Sequence, residues 1–291
     1  MRDRHMEKGR ITGIIFENIF RLSSILAIIA LLMILGYIIY AGAPAMIDVG
    51  IREFLGGMEW RPTRDLYGIF PMLVGSTVVT AGAIIIGVPI GILTAVFLAE
   101  VAPEWLAKIV RPAVELLAGI PSVIYGFFGL LVIVPIIHSA FGNGGDSLLA
   151  AIIILSVMIL PTIVTITETS IRAVPRSYKE GALALGASHI QAIFQVIIPA
   201  ARSGILSGIV LGIGRAIGET MAVILVMGNS IKMPSSLLDR GRTMTANIAL
   251  EMSYAAGQHQ QMLFATGVIL LIFIMILNFI LLKLTRERQA K

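Results

Sequence analysis

Six apolar stretches, each roughly 20 residues long or longer, constrain this chain more than any other feature. They cover approximately residues 22–41, 73–98, 113–137, 148–167, 204–227 and 263–282. A helix of this length crosses the hydrocarbon core of a bilayer, where the backbone must satisfy its own hydrogen bonds. Only 13% of the residues are charged and the mean hydropathy is +0.93, whereas soluble domains carry about a quarter charged residues. The sequence therefore predicts an all-α membrane protein with six transmembrane helices.

The basic residues predict the orientation of these helices. Fifteen of the 22 Lys and Arg residues precede the first stretch, follow the last, or lie between stretches two and three or four and five. Six lie in the loops at the opposite end, and Arg215 lies inside the fifth stretch. Because cytoplasmic loops are enriched in Lys and Arg, both termini are predicted to be cytoplasmic. This topology accounts for the net charge of +5, and no nucleic-acid partner is predicted.

The predicted organisation has four parts: an N-terminus with the first helix (1–42), an outer loop (43–72), a core of five helices (73–285) and a cytoplasmic tail (286–291). The core contains a long cytoplasmic loop (171–203) and a second outer loop (229–261). Basic residues, an apolar run and Ala41-Gly42-Ala43 also suit a cleaved signal peptide. The run is longer than a usual signal core and five more stretches follow it, so we expect the first helix to remain.

The fifth stretch carries two charges in the sequence Gly214-Arg215-Ala-Ile-Gly218-Glu219-Thr220. Arg215 and Glu219, four residues apart on one continuous helix, would share a face and could pair. In one interpretation small residues on this face admit a neighbouring helix and the ion pair is structural. In the other, the face borders a pathway in which the planar Arg215 guanidinium meets a passing anion. The small residues, here called the glycine stripe, are Gly204, Gly208 and Gly212.

The third stretch contains Gly119-Ile-Pro121-Ser122, and Tyr125 follows one turn later. A Gly-x-Pro sequence inside an apolar helix predicts a break that could expose backbone groups to a cavity. A kink required only for packing explains the same residues equally well. Ser122 and Tyr125 are the polar candidates for a pathway at this point.

The loop 171–203 contains more apolar residues than a solvated loop needs. Ala182, Leu185, Ile190 and Ile193 predict short helical pieces, with Gly186 as the turn between them. Composition alone favours a docking surface and an interfacial helix about equally. In the outer loops, 244–256 is predicted to be a short helix that ends at Gly257. Three further residues of the outer loops are predicted membrane-interface anchors: Trp60, Pro62 and Tyr67.

Several chemical signatures do not occur in the sequence. There is no phosphate-binding Gly-x-x-x-x-Gly-Lys-Ser/Thr loop and no cysteine, and the four histidines stand at spacings that do not suit metal ligands. No nucleophile–base arrangement stands out. The chain is therefore predicted to be neither an enzyme nor a metal-binding protein.

The loop segment Glu180-Gly181-Ala182, followed by Gly186 and Ile198-Pro199, resembles the EAA loop of ABC-importer permeases. The family pattern has Glu-Ala-Ala, then Gly four residues on, then Leu-Pro about a dozen residues later, so Gly181 and Ile198 are mild departures. The similarity is tighter to phosphate permeases of the PstC type. The segments that carry it are 117–126, 160–163, 214–221, 242–248 and Glu59-Trp60-Arg61-Pro62, and the resemblance spans about residues 50–285.

The resemblance implies a type I ABC importer permease in a prokaryotic inner membrane. It implies a PstA-like second permease, two PstB-like ATPases that bind ATP and Mg, and a PstS-like binding protein that delivers phosphate; this chain itself would hold no cofactor. The implied pathway residues are Arg215 and Glu219, with Thr220 beside them and Ser122 and Tyr125 as further candidates. The implied coupling helix, seated in a groove of the ATPase, contains Glu180, Gly181, Ala182 and Gly186.

Three alternatives to a phosphate importer subunit remain at this point. An intramembrane Arg–Glu pair also suits a proton-coupled secondary anion transporter. The chain could instead be a purely structural membrane subunit. Permeases for sulfate, molybdate or phosphonate share the EAA loop, although we expect them to lack the Gly-Arg-Ala-Ile-Gly-Glu-Thr run.

Overall fold

The computed structural model describes residues 2–142 and 144–287, of which 2–12, 14, 280–282 and 284–287 are described by backbone alone. Most of the predicted tail 286–291 therefore lies outside the described residues. Within them, six helical stretches are long and apolar enough to cross a membrane, as predicted. They are Ile15–Val49, Phe70–Val101, Ser122–Phe141, Leu148–Arg172, His189–Gly218 and Gln258–Phe279.

Thirteen α-helices and one small hairpin are described. The helices are α1 (Arg2–Val49), α2 (Ile51–Gly56), α3 (Phe70–Val96), α4 (Glu104–Gly119), α5 (Ser122–Phe128), α6 (Val134–Phe141), α7 (Leu148–Arg172), α8 (Arg176–Ala184), α9 (His189–Ala192), α10 (Ile198–Gly218), α11 (Met221–Val226), α12 (Met244–Glu251) and α13 (Gln258–Glu287). Strands β1 (Trp60–Arg61) and β2 (Leu66–Tyr67) pair antiparallel around the 3-10 turn Pro62–Arg64. Single π-helical turns, Phe97–Val101, Gly129–Ile133 and Ile193–Ile197, extend α3, join α5 to α6 and join α9 to α10.

The predicted third and fifth spans are each interrupted in the structure; the interruption in the third was predicted from its Gly-x-Pro sequence, and the one in the fifth was not. The third, predicted over 113–137, is interrupted at Ile120 and Pro121, both of which are extended. The residue before a proline avoids the helical conformation, because the proline ring clashes with it. The fifth, predicted over 204–227, is interrupted at Glu219, which is also extended. The apolar helical stretch also begins earlier than predicted, at His189, and runs through α9 and the π-helical turn that follows it.

Helix α7 is the most enclosed of the spans and packs against both α3 and α10. Glycines on α3 make this approach possible: a Cβ on Gly87 would lie 2.7 Å from Cδ1 of Ile159. Small residues let helix backbones come close, which supplies the van der Waals contact that drives helix association in lipid. Helix α1 packs on α13 at the edge of the bundle. Its largely exposed apolar side chains are suited to contact with lipid.

The predicted interface anchors Trp60 and Tyr67 belong instead to a buried cluster at the end of the bundle opposite α8. They are 2% and 4% exposed and pack edge to face across the hairpin. Phe54 and Met244 fill the same cluster. The short outer helix predicted over 244–256 is confirmed in place, but α12 is shorter and ends at Glu251.

Candidate translocation site

The break in the third span is stabilised by a side chain of the following helix. Helix α4 ends at Gly119 and leaves its last carbonyls without helical partners. The Tyr125 hydroxyl donates to the Leu117 carbonyl at 2.7 Å, so it satisfies one of them. Ser122, the first residue of α5, is half-buried beside the break. The predicted break is therefore present, and Tyr125 has a structural partner within it.

The break in the fifth span separates the two predicted charged residues. Arg215 lies in the last turn of α10, whereas Glu219 lies beyond its end. The Glu219 carboxylate accepts a hydrogen bond from the backbone N–H of Ala222 at 3.1 Å, and its carbonyl accepts one from the Thr245 hydroxyl at 3.0 Å. The Thr220 hydroxyl donates to the Gly218 carbonyl. The expectation that Arg215 and Glu219 pair on one helix face is wrong, because the helix has ended between them.

The two breaks lie side by side. Helices α5 and α11 pack closely, and a Cβ on Gly126 would lie 2.9 Å from Cα of Ala222. Arg215 lies in the last turn of α10, four residues before the break residue Glu219. Arg215 is half-buried, and no ion pair to it occurs in the part of the chain that the structure describes. The junction therefore combines one cation, interrupted backbone and the polar side chains that the sequence singled out.

The glycine stripe of α10 packs against α7. A Cβ on Gly212 would lie 2.9 Å from Cγ1 of Ile163, and one on Gly208 would lie 3.2 Å from Cβ of Ile166. Gly204 faces the Ser170 side chain. The stripe is thus a packing surface, as the structural interpretation predicted, and Arg215 lies one turn beyond it.

The predicted coupling residues lie apart from this junction, on α8 and the turn that follows. Gly186 has φ +89°, a left-handed conformation that glycine adopts at little cost. The predicted turn after α8 is therefore confirmed. A capping box between Ser188 and Gln191 starts α9. Glu180 and Gly181 are exposed, Ala182 is half-buried, and Leu185 is 92% exposed.

This coupling segment is anchored firmly to the membrane spans. Ile193 and Ile197 are buried with Ile171 at the end of α7 and Val96 at the end of α3. The Lys179 ammonium also pairs with Glu100, on the π-helical turn after α3. Apolar packing and an ion pair therefore connect this segment to the ends of α3 and α7.

Sequence reasoning missed a charged cluster near the end of the bundle that carries α8. The carboxylate of Glu168, 8% exposed, accepts from Nε of Arg111 at 2.6 Å and from Nε of Arg172 at 2.9 Å. Both arginines also donate to the Leu98 carbonyl. The predicted fourth span ended one residue before Glu168, so this buried acid was not recognised as a charge within a span. The i, i+4 spacing of Glu168 and Arg172 was a signal that could have found it.

A second missed cluster lies at the opposite end of the bundle. Glu251 accepts from Arg242 at 2.6 Å and from the Trp60 indole at 2.7 Å, and it contacts His259 at 2.9 Å. Burial, with the Glu251 charge nearby, raises the pKa of Tyr254 above its usual value. These partners come from β1, the loop before α12, α12 itself and α13. No local sequence pattern could have brought them together.

Comparison with known families identifies the kind of protein that carries this site. Residues 87–289 match the family described as the binding-protein-dependent transport system inner membrane component. The chain belongs to this family. Membership implies a partner ATPase and a substrate-binding protein for this permease, and it places the permease in the membrane as a multi-pass subunit without an enzymatic activity of its own.

Curated relatives cover most of the permease. The probable ABC transporter permease protein YqgH of Bacillus subtilis is 41% identical over 82% of this chain and 79% of its own length. The phosphate transport system permease protein PstC of Mesorhizobium japonicum is 35% identical over 98% of this chain and 92% of its own length. PstC of Haemophilus influenzae is likewise 35% identical, over 90% of this chain.

Solved structures agree on the fold. An inward-facing structure of the MetNI methionine ABC transporter superposes with a TM-score of 0.57 at 22% identity, covering 79% of this chain and 97% of that one. An amino acid ABC transporter superposes with a TM-score of 0.54 at 20% identity. The permease therefore has the type I ABC importer fold that the resemblance predicted. The predicted orientation of its termini stays a prediction.

Proposed function

We propose that this permease forms half of the translocation pathway of an ATP-driven inorganic phosphate importer, and that Arg215 meets the anion within the membrane. The observation that carries the proposal is the position of Arg215. It is half-buried at the junction of two helix breaks, and the nearby carboxylate of Glu219 is directed to α11 instead. Relatives named as phosphate permeases supply the substrate class.

The chemistry of a guanidinium fits this role. An uncompensated charge within a membrane span is costly, so a lone half-buried Arg marks a substrate pathway more readily than a packing site. Its planar fork donates two parallel hydrogen bonds to a tetrahedral oxyanion. The breaks at Ile120 and Glu219 lie next to each other, as in other transport sites built from broken helices. Ser122, Tyr125 and Thr220 are proposed to line this junction.

Coupling to ATP is proposed to pass through α8 and the Gly186 turn. The exposed apolar side chains of Leu185 and Ile190 would seat in a groove of a PstB-like ATPase. Because this segment is anchored to the ends of α3, α7 and α10, closure of the ATPase dimer would move those spans with it. A PstA-like permease would supply the other half of the pathway, and a PstS-like protein would deliver phosphate. ATP and Mg would be held by the ATPase.

Proteoliposomes that hold the complete assembly test this function. Labelled phosphate is presented together with the binding protein, ATP is present on the ATPase side, and sulfate is the competitor. We expect phosphate entry that depends on ATP and that sulfate does not displace. Entry driven by a pH gradient without ATP would overturn the proposal in favour of a secondary transporter.

A further inference from the structure

The Arg111–Glu168–Arg172 cluster carries a net positive charge on a recess away from the Arg215 junction. Two guanidinium groups share the Glu168 carboxylate, which leaves one positive charge within the cluster, and the exposed Glu115 carboxylate that lines the same recess balances it. Each arginine uses its Nε and Nη2 groups on Glu168 and the Leu98 carbonyl. The Nη1 group of each arginine makes no hydrogen bond to a described residue. The side chains of Arg111 and Arg172 remain 34% and 47% exposed.

A polar stripe on α7 leads to this cluster. Thr162, Thr165, Thr169 and Arg172 lie within one sector of about 80° at 100° per residue. Thr165 and Thr169 are exposed and Thr162 is half-buried, in a helix whose other faces are packed. Hydroxyl groups and a charge along one open face of a membrane span favour water or substrate there over lipid.

The recess lies between this stripe and α4. It has a volume of about 300 Å³, and α4 and α7 line it with Arg111 and Glu115 opposite Thr165, Thr169 and Arg172. Helix α4 continues from Arg111 to Leu117, whose carbonyl accepts from the Tyr125 hydroxyl at the break. Arg111 and Leu117 are six residues apart on one helix, a rise of about 9 Å. At 100° per residue they point about 120° apart, so the recess and the break lie on different faces of α4.

We propose that this recess is a second, exit-side binding site for a tetrahedral oxyanion of the phosphate type. The inference rests on the proposed function, because the anion is the one that leaves the Arg215 junction. Two guanidinium edges and the Thr165 hydroxyl hold it, since the Thr169 hydroxyl donates to the Thr165 carbonyl, while Glu168 and Glu115 compete with it for the arginines. That competition keeps binding weak enough for release, as conduction through successive sites requires. The site does not distinguish phosphate from sulfate, since both present the same tetrahedral oxygens.

Cysteine protection tests the site directly, since the chain contains no cysteine of its own. Thr165→Cys and Thr169→Cys are introduced singly into the complete assembly in neutral-lipid nanodiscs. The rate of labelling by an anionic methanethiosulfonate is followed on this chain by mass spectrometry. We expect inorganic phosphate, and sulfate equally, to slow labelling at both positions, with chloride at equal ionic strength as the reference. Ser177→Cys, exposed on α8 and outside the recess, is the matched control and should show no protection.

Removing one guanidinium identifies the anion's partners. In the Thr169→Cys background, Arg172→Gln should raise the phosphate concentration that gives half-protection about tenfold or more, the cost of a hydrogen bond between charged groups. Arg111→Lys keeps a positive charge beside Glu168 but removes the planar guanidinium. This variant replaces Arg172→Gln in the test if Arg172→Gln does not assemble. It too should weaken protection. Unchanged protection in the variant that assembles would overturn the assignment of the arginines.

Other outcomes also decide the matter. Absence of protection, or equal protection at Ser177→Cys, would overturn the site. If labelling slows only when the nanodiscs contain anionic lipid, and free phosphate does not slow it further, the recess holds a lipid headgroup and the proposal is wrong. The labelling needs no ATP, so it is independent of uptake. Protection without ATP-driven entry would contradict the importer function alone, and entry without protection would contradict the exit site alone.

Discussion

The Glu219 carboxylate accepts a hydrogen bond from the Ala222 backbone N–H at 3.1 Å, across the break between α10 and α11. Glu219 thereby stabilises the start of α11, whose first N–H groups lack helical partners. The same break directs it away from Arg215, the residue with which the sequence spacing suggested it would pair. One backbone interruption thus gives Glu219 a structural partner and leaves Arg215 without an ion pair among the described residues.

Arg215→Gln tests the pathway role. Replacing the guanidinium with a neutral amide removes charge-assisted hydrogen bonds to the anion, so uptake should fall by about 10- to 100-fold or be lost. Assembly with the partner chains, followed by size-exclusion chromatography, should be unchanged, because Arg215 makes no ion pair within the described residues. Arg215→Lys is the control that keeps charge without the fork and should retain part of the activity. Loss of assembly in Arg215→Gln would support a structural role instead.

Glu219 variants separate its capping role from its charge. Glu219→Ala removes the acceptor for the Ala222 N–H and should destabilise the protein by about 1 kcal/mol. Glu219→Gln retains an amide oxygen that can accept the same bond, so its thermal unfolding in detergent should stay near that of the wild type. Equal destabilisation by both variants would show that the carboxylate charge, rather than the cap, matters for the fold.

Gly126→Ala tests the close approach of α5 and α11. The added Cβ would lie 2.9 Å from the backbone Cα of Ala222, which cannot move as a flexible side chain can. Overpacking of this kind should cost about 1–3 kcal/mol and displace the junction, with loss of uptake. Gly119→Ala is the matched control, since nothing lies within 4 Å of its added Cβ. If both variants unfold at the same temperature, the two breaks are not tightly packed.

Leu185→Asp tests the proposed docking surface. A charge on this 92% exposed side chain should leave the fold of the permease intact. It should prevent co-purification of the ATPase, because burying an unpaired charge in an apolar groove is unfavourable. Leu185→Met keeps the side chain apolar and should co-purify normally. Normal recovery of the ATPase with Leu185→Asp would exclude this residue from the interface.

Glu251→Gln tests the buried cluster opposite α8. The change leaves Arg242 without its ion-pair partner, and breaking a buried pair from one side typically costs about 3–5 kcal/mol. The midpoint of thermal unfolding should therefore fall clearly. Glu59→Gln removes an exposed pair with Arg61 and should change stability by less than about 1 kcal/mol. Similar effects of the two substitutions would mean that the Glu251 cluster contributes little to the fold.

Local patterns predicted several parts of the candidate site well. The Gly-x-Pro sequence predicted the interruption at Pro121, and Gly186 predicted the turn after α8. Both depend on backbone preferences of single residues. The interruption at Glu219 was not predicted, because its stabilising contact comes from Thr245, 26 residues away. The Glu168 cluster was not predicted for a similar reason, because Arg111 comes from another helix.

The sequence by itself determined that the chain crosses a membrane six times, because apolar length and the placement of charges are properties of continuous segments. It also determined the short helical pieces of the loop 171–203 and the residues with family resemblance. Only the tertiary structure decided which of these residues act together. Whether Arg215 and Glu219 share a helix face depends on where α10 ends and what packs beside it, and those contacts join segments that are distant in the chain. Helix ends in a membrane are set by the partners that satisfy their backbone groups, and such partners are not visible in local sequence.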